Sequence, residues 1–102
     1  MAYDNARAMT LLLGGNSGGT YGTYYDDTWE WDGVDWIQRL PTNQPAPRSA
    51  HAVAYDSARE VLVLFGGTRS WLPNYFTQYD DTWEYVSVPA QRVFLPLVVR
   101  MP

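Results

Sequence analysis

The chain has 102 residues, 46% apolar and 16% aromatic, enough for one modest core and too apolar for a disordered segment. Its net charge of -4, with arginine as the basic residue throughout, sets it apart from proteins that hold nucleic acid by charge. The absence of cysteine excludes disulfides, thiolate chemistry and Cys-ligated metals, and no stretch reaches the roughly 18 apolar residues that span a bilayer as a helix.

In chain order, every segment reads as strand or turn. The opening run AYDNARAMTLLLGG (2–15) has no charged leader followed by an apolar core and a cleavage site, so no signal peptide is expected in it. It predicts two short strands around a turn. The stretch DDTWEW (26–31) alternates, with Trp29 and Trp31 on one side and Thr28 and Glu30 on the other. VDWIQRL (34–40) adds a strand, and the prolines of PTNQPAPR (41–48) suit a loop better than a ladder. HAVAYD (51–56) and VLVLFGG (61–67) are apolar and rich in β-formers, joined by the turn-like DSARE. DTWEYVS (81–87) alternates again, Trp83 and Tyr85 against Thr82 and Glu84. RVFLPLVV (92–99) is apolar enough for a strand, which Pro96 would restrict to an edge or a bulge. No segment carries a helical period, so the chain is expected to be all-β.

Two halves of this order match. AYDNARAMTLLLGG (2–15) lies on AYDSAREVLVLFGG (54–67) at a shift of 52, and the two DDTWE segments align at a shift of 54. The two-residue difference falls between the diglycine and the Asp pair, which marks that place as a loop. A period near 50 residues with about four strands per unit fits a propeller blade. The ordered set PAPRSAHAVAYDSAREVLVLFGG…YDDTWEY resembles a Kelch repeat, with Pro-Arg-Ser before the first strand, a diglycine ending the second and a Trp in the third. Trp36 matches the family's fourth-strand Trp, and the second unit has no Trp at the corresponding place. The resemblance implies two four-stranded antiparallel blades of an incomplete propeller. Residues 1–40 would form a first blade truncated at its N-terminus, 41–88 a second, and 89–102 a tail with a possible edge strand.

The repeated residues point to structure more than to chemistry. Trp29, Trp31, Trp83 and Tyr85 are expected to fill the space between blades. The pairs Asp26/Asp27 and Asp80/Asp81 offer acid/base or Ca²⁺ chemistry on paper, but neighbouring strand residues face opposite ways, and turn capping is the favoured role. Gly14, Gly15, Gly66 and Gly67 follow strands rather than precede a helix, so positive φ or close backbone approach explains them better than a phosphate loop. His51, the only histidine, is expected to make a structural hydrogen bond, and Arg48 to pair with a carboxylate or carbonyls at the blade base. No catalytic residue, metal site or cofactor is expected. Galactose oxidase, a copper enzyme on a related propeller, needs a Cys-linked Tyr, which a chain without cysteine lacks.

Function is sought instead in the segments that do not repeat. NSGGTYGTYY (16–25) is a loop rich in Gly, Tyr and Ser, a paratope-like mixture, and TRSWLPNYFTQY (68–79) is a loop that carries Tyr, Trp and Arg, the side chains that dominate interfaces. Tyr21, Tyr24, Arg69, Trp71, Tyr75 and Phe76 are the ligand- or partner-binding candidates. The resemblance implies a non-catalytic binding or scaffold module for protein or carbohydrate, with bacterial extracellular or cell-surface relatives. The alternative is a two-blade fragment of a larger sugar-active oxidoreductase or hydrolase whose catalytic residues lie elsewhere. Unpaired blade edges imply self-association or further blades, with no nucleic-acid partner.

Overall fold

The computed structural model describes residues 1–18, 22–72, 75–88 and 91–96, and there the chain is all-β with antiparallel sheets. The first sheet runs β1 (Ala2–Asp4), β2 (Met9–Asn16), β3 (Tyr24–Trp31) and β4 (Trp36–Arg39) in sequence order. The second holds β5 (Ala52–Asp56), β6 (Val61–Phe65), β9 (Thr82–Val88) and β10 (Gln91–Pro96), in the order β10-β9-β6-β5. Between β6 and β9, β7 (Thr68–Leu72) and β8 (Tyr75–Gln78) pair with each other and join neither four-stranded sheet. The expected loop over 68–79 is thus a hairpin. Trp71, Tyr75, Phe76 and Thr77 are residue types that favour strands, and each strand supplies the other's ladder bonds.

The repeated turns are the same device used twice. Asp4 Oδ1 accepts from the Ala6 and Arg7 amides, both at 3.0 Å, and Asp56 Oδ1 from the Ala58 and Arg59 amides, both at 3.2 Å. Each turn ends on a left-handed residue, Ala8 at φ 57° and Glu60 at φ 56°. The diglycines also sit at positive φ, and a Cβ on Gly67 would meet the Ser49 carbonyl at 2.8 Å, the close approach that requires glycine there.

The core lies between the two sheets. Leu11 and Leu13 of β2 meet Leu62 and Leu64 of β6, Tyr85 of β9 and Phe94 of β10, all buried. Cross-strand pairing puts Thr28 and Glu30 on the same inner face of the first sheet as Leu13 and Leu11. The aromatic face of the second sheet therefore packs on the Thr/Glu face of the first. The expectation that the β3 tryptophans fill this space is corrected: Thr28 and Glu30 are buried there, while Trp29 and Trp31 are half-buried on the opposite face. Alternation separates two faces but does not say which one is covered.

Phe94 stands opposite Tyr85 as Trp36 stands opposite Trp31, so Phe94 takes the fourth-strand aromatic place in the second sheet. Its ring packs at 5.0 Å from Tyr85 and edge-on to Trp83 at 6.4 Å, centroid to centroid. The outer edge of β10 is partly covered by the linker after β4. Thr42 donates its amide to the Arg92 carbonyl at 3.1 Å and accepts from the Phe94 amide at 2.9 Å.

Candidate functional site

The segments that differ between the repeats meet at one end of the sheets. The Asn16 side chain donates to Ser49 Oγ at 3.1 Å, tying the end of β2 to the linker. Ser49 and Thr68 exchange backbone bonds of 2.9 and 2.8 Å, tying the linker to the start of the β7–β8 hairpin. The Tyr24 phenol lies against Ser70, whose hydroxyl and backbone hold its pKa below the ordinary tyrosine value. Phe76, opposite Ser70 in the hairpin ladder, is 60% exposed. The structure thus brings Tyr24 and Phe76 to the same Ser70. Arg69 sits in β7, half-buried and engaged. Trp71 and Tyr75 occupy the facing strands β7 and β8, their side chains outside the described residues, as is Tyr21 altogether.

Behind this end, Arg48 is 2% exposed and fully engaged. Its guanidinium forms a two-point ion pair with Asp81, Nη2 to Oδ2 at 2.9 Å, and donates through Nη1 to the Gly66 carbonyl at 3.0 Å. Nε donates to the Ala46 carbonyl at 3.1 Å, and the guanidinium carbon stacks 4.0 Å above the Tyr79 ring. Asp81 also accepts the Trp83 indole N–H at 2.8 Å, and Asp27 accepts that of Trp29 at 2.9 Å. The second Asp of each pair is therefore an indole acceptor, and in one case an arginine anchor, rather than a turn cap. The Arg48 guanidinium, then burial working against it, holds the Asp81 carboxyl below the usual carboxylate range.

A second polar knot joins the sheets. Glu30 accepts from Arg39 Nε at 3.0 Å, Arg92 Nε at 2.9 Å and the Tyr85 hydroxyl at 2.8 Å. Burial alone would raise its pKa, but these bonds outweigh it and keep the carboxylate charged. Burial, then the bond to Glu30, pushes the Tyr85 phenol up. His51 is half-buried between the diglycines, and burial pushes its pKa down against the Leu13 backbone, which pulls it up. The Glu30 knot escapes sequence reasoning because its donors come from three strands, β4, β9 and β10. The only local signal is a Glu placed opposite Leu11 inside the repeated phrase.

Among the described residues no group of His, Asp and Glu is arranged to hold a metal ion. Among the described residues the buried charged side chains are engaged in structural pairs, and Phe76 is the exposed aromatic of the hairpin. Comparison with protein-family models, with curated proteins and with solved structures finds no match for the chain.

Proposed function

We propose that the chain is a non-catalytic, Kelch-type binding or scaffold module whose two four-stranded sheets are propeller blades. It engages protein or carbohydrate through Tyr24, Arg69, Trp71, Tyr75 and Phe76. The observation that carries this reading is the β7–β8 hairpin. It belongs to neither four-stranded sheet and presents Phe76, 60% exposed, on the strand opposite Ser70, which Tyr24 contacts. A two-stranded finger, whose backbone is fixed by ladder bonds, holds aromatic side chains at lower ordering cost than a loose loop would. Glycan-array and protein-panel binding by the wild-type chain, repeated with Tyr24→Ala and Phe76→Ala together, tests it. Hits should be lost in the double variant. Hits that all survive it would sink the reading.

A second reading, two blades belonging to a larger propeller enzyme, is favoured by one observation. Trp29, Trp31 and Trp36 form an aromatic face on the first sheet with no sheet against it among the described residues, and Trp36 is 44% exposed. Both readings expect this face to drive self-association of the isolated chain. Light scattering that finds a stable monomer at high concentration would argue against that.

A further inference from the structure

A groove opens between β4 and β10, the end strands of the two sheets. Gln38, Arg39, Leu40, Thr42, Gln91 and Arg92 line a space of about 420 Å³, a volume typical of ligand clefts. The linker bridges the two strands, leaving β4 at Leu40 and bonding to β10 through the Thr42 backbone. Neither arginine belongs to the repeated phrase, and no residue of the β7–β8 hairpin lines the groove.

Its charge is unbalanced. Arg39 and Arg92 share a single carboxylate, that of the buried Glu30, which their bonds keep charged. Two positive charges against one negative leave this place net positive in a chain whose net charge is -4. Among the described residues no carboxylate lines the groove. Arg39 uses only Nε on Glu30, and among the described residues its Nη1 and Nη2 form no bond. That end of a guanidinium grips a carboxylate with two parallel bonds. The anchored Nε orients the group in advance, which lowers the ordering cost of binding. Arg92 adds the second charge, held by Glu30 and, through Nη1, by the Gln91 carbonyl at 3.3 Å.

We propose that this groove binds a uronic acid sugar through its carboxylate. The Arg39 fork takes the carboxylate, and the Gln38 and Gln91 amides with the Thr42 hydroxyl offer donors and acceptors to the ring hydroxyls. The single excess charge suits a monoanion. A phosphate dianion would bring uncompensated negative charge close to Glu30. An acidic peptide supplies the same carboxylate but no ring of hydroxyls for the polar walls. The site stands apart from the hairpin end, so the loss of either leaves the other to be judged on its own.

The probe is glucuronate, titrated into the full chain and followed by the NMR shifts of the Arg39 and Arg92 Nε–H signals, with glucose as its neutral counterpart. Saturating shifts are expected, and binding about tenfold or more weaker for glucose. Arg39→Gln should weaken glucuronate about tenfold, read at Arg92, and Arg39→Lys severalfold, because lysine keeps the charge without the fork. Gln91→Ala, at an exposed side chain, should weaken it severalfold. An unchanged near-ultraviolet circular dichroism spectrum confirms that each variant is folded; if Arg39→Gln does not fold, Gln91→Ala and the glucose comparison decide. Arg59→Gln, which removes an exposed arginine of the second sheet, should leave the affinity within twofold. No saturation by glucuronate, equal binding of glucose, or full affinity in folded Arg39→Gln would each overturn the proposal. N-acetylglutamate or phosphate binding as tightly as glucuronate would overturn it in favour of an acidic peptide or a phosphate ligand.

Discussion

The first sheet carries Trp36 on its outer strand, 44% exposed; the second carries Phe94 at the paired position, 1% exposed. The contrast extends along the repeat. Both glutamates are buried, but Glu30 meets Arg39, Arg92 and Tyr85, whereas its counterpart Glu84 meets Arg59, whose side chain is 55% exposed. Arg59 reaches Glu84 in its own sheet, whereas its counterpart Arg7 pairs with Asp4 and donates to the Ser87 carbonyl across to the other sheet. One phrase thus gives the same turns and ladders twice. Its energetic weight depends on which face is covered, and the two copies present opposite faces to the shared core.

The largest test of this contrast is in the aromatic pair. Phe94→Ala removes a ring buried between Tyr85 and Trp83 and should destabilise by about 4 kcal/mol. Trp36→Ala removes only the exposed contact with Trp31 and should cost about 1 kcal/mol, although it deletes the larger side chain. Urea midpoints measure both. Equal losses would mean that the outer strands of the two sheets are equivalent after all.

Strands, turns and the two-unit repeat are legible because they rest on local chemistry: alternation, diglycines, and an Asp two or three residues before the amides it caps. Phe94 was hidden for a physical reason. β3 stops at Trp31 and turns at once, whereas β9 runs on to Val88. The partner of Tyr85 therefore lies nine positions away in sequence, where that of Trp31 lies five, and a search at fixed spacing misses it. The hairpin over 68–78 was hidden because a short polar-aromatic run reads equally as loop or strand. Of the candidate binding residues, aromatic content marked the segments, but only cross-strand pairing and the Tyr24–Ser70 contact bring Tyr24 and Phe76 together.

The carboxylates give the next contrast. Glu30→Gln leaves Arg92 and the Tyr85 hydroxyl facing a neutral amide inside the core and should cost about 3 kcal/mol. Glu84→Gln, at a buried carboxylate whose arginine is 55% exposed and regains water, should cost less, about 1 kcal/mol. The pH dependence follows from the sign of the shift. The Glu30 pKa is held below that of an unfolded glutamate, so its contribution is full above about pH 4.3 and is lost as pH falls through the folded value. Thermal melts from pH 7 down to pH 2 should fall less steeply for Glu30→Gln than for the wild type. Parallel curves would show that the knot does not stabilise the charged form.

The smallest contrast sets the two indole-bonded carboxylates against each other. Asp81 and Asp27 hold the same indole bond, so any difference between their asparagine variants isolates the guanidinium. Asp81→Asn strips the charge from the partner of a buried Arg48 and should cost about 2 kcal/mol, below the range for fully buried pairs because the Asp81 side chain is 36% exposed. Its loss should also appear on titration. The lowered Asp81 pKa gives stability that is present above about pH 3.9 and lost below it, and the variant should shed that part of the acid transition. Asp27→Asn in the chain alone should stay within about 0.5 kcal/mol. Urea midpoints of the two variants therefore measure what the bound arginine adds to one copy of the phrase, and equal losses would mean that the Arg48–Asp81 pair contributes nothing.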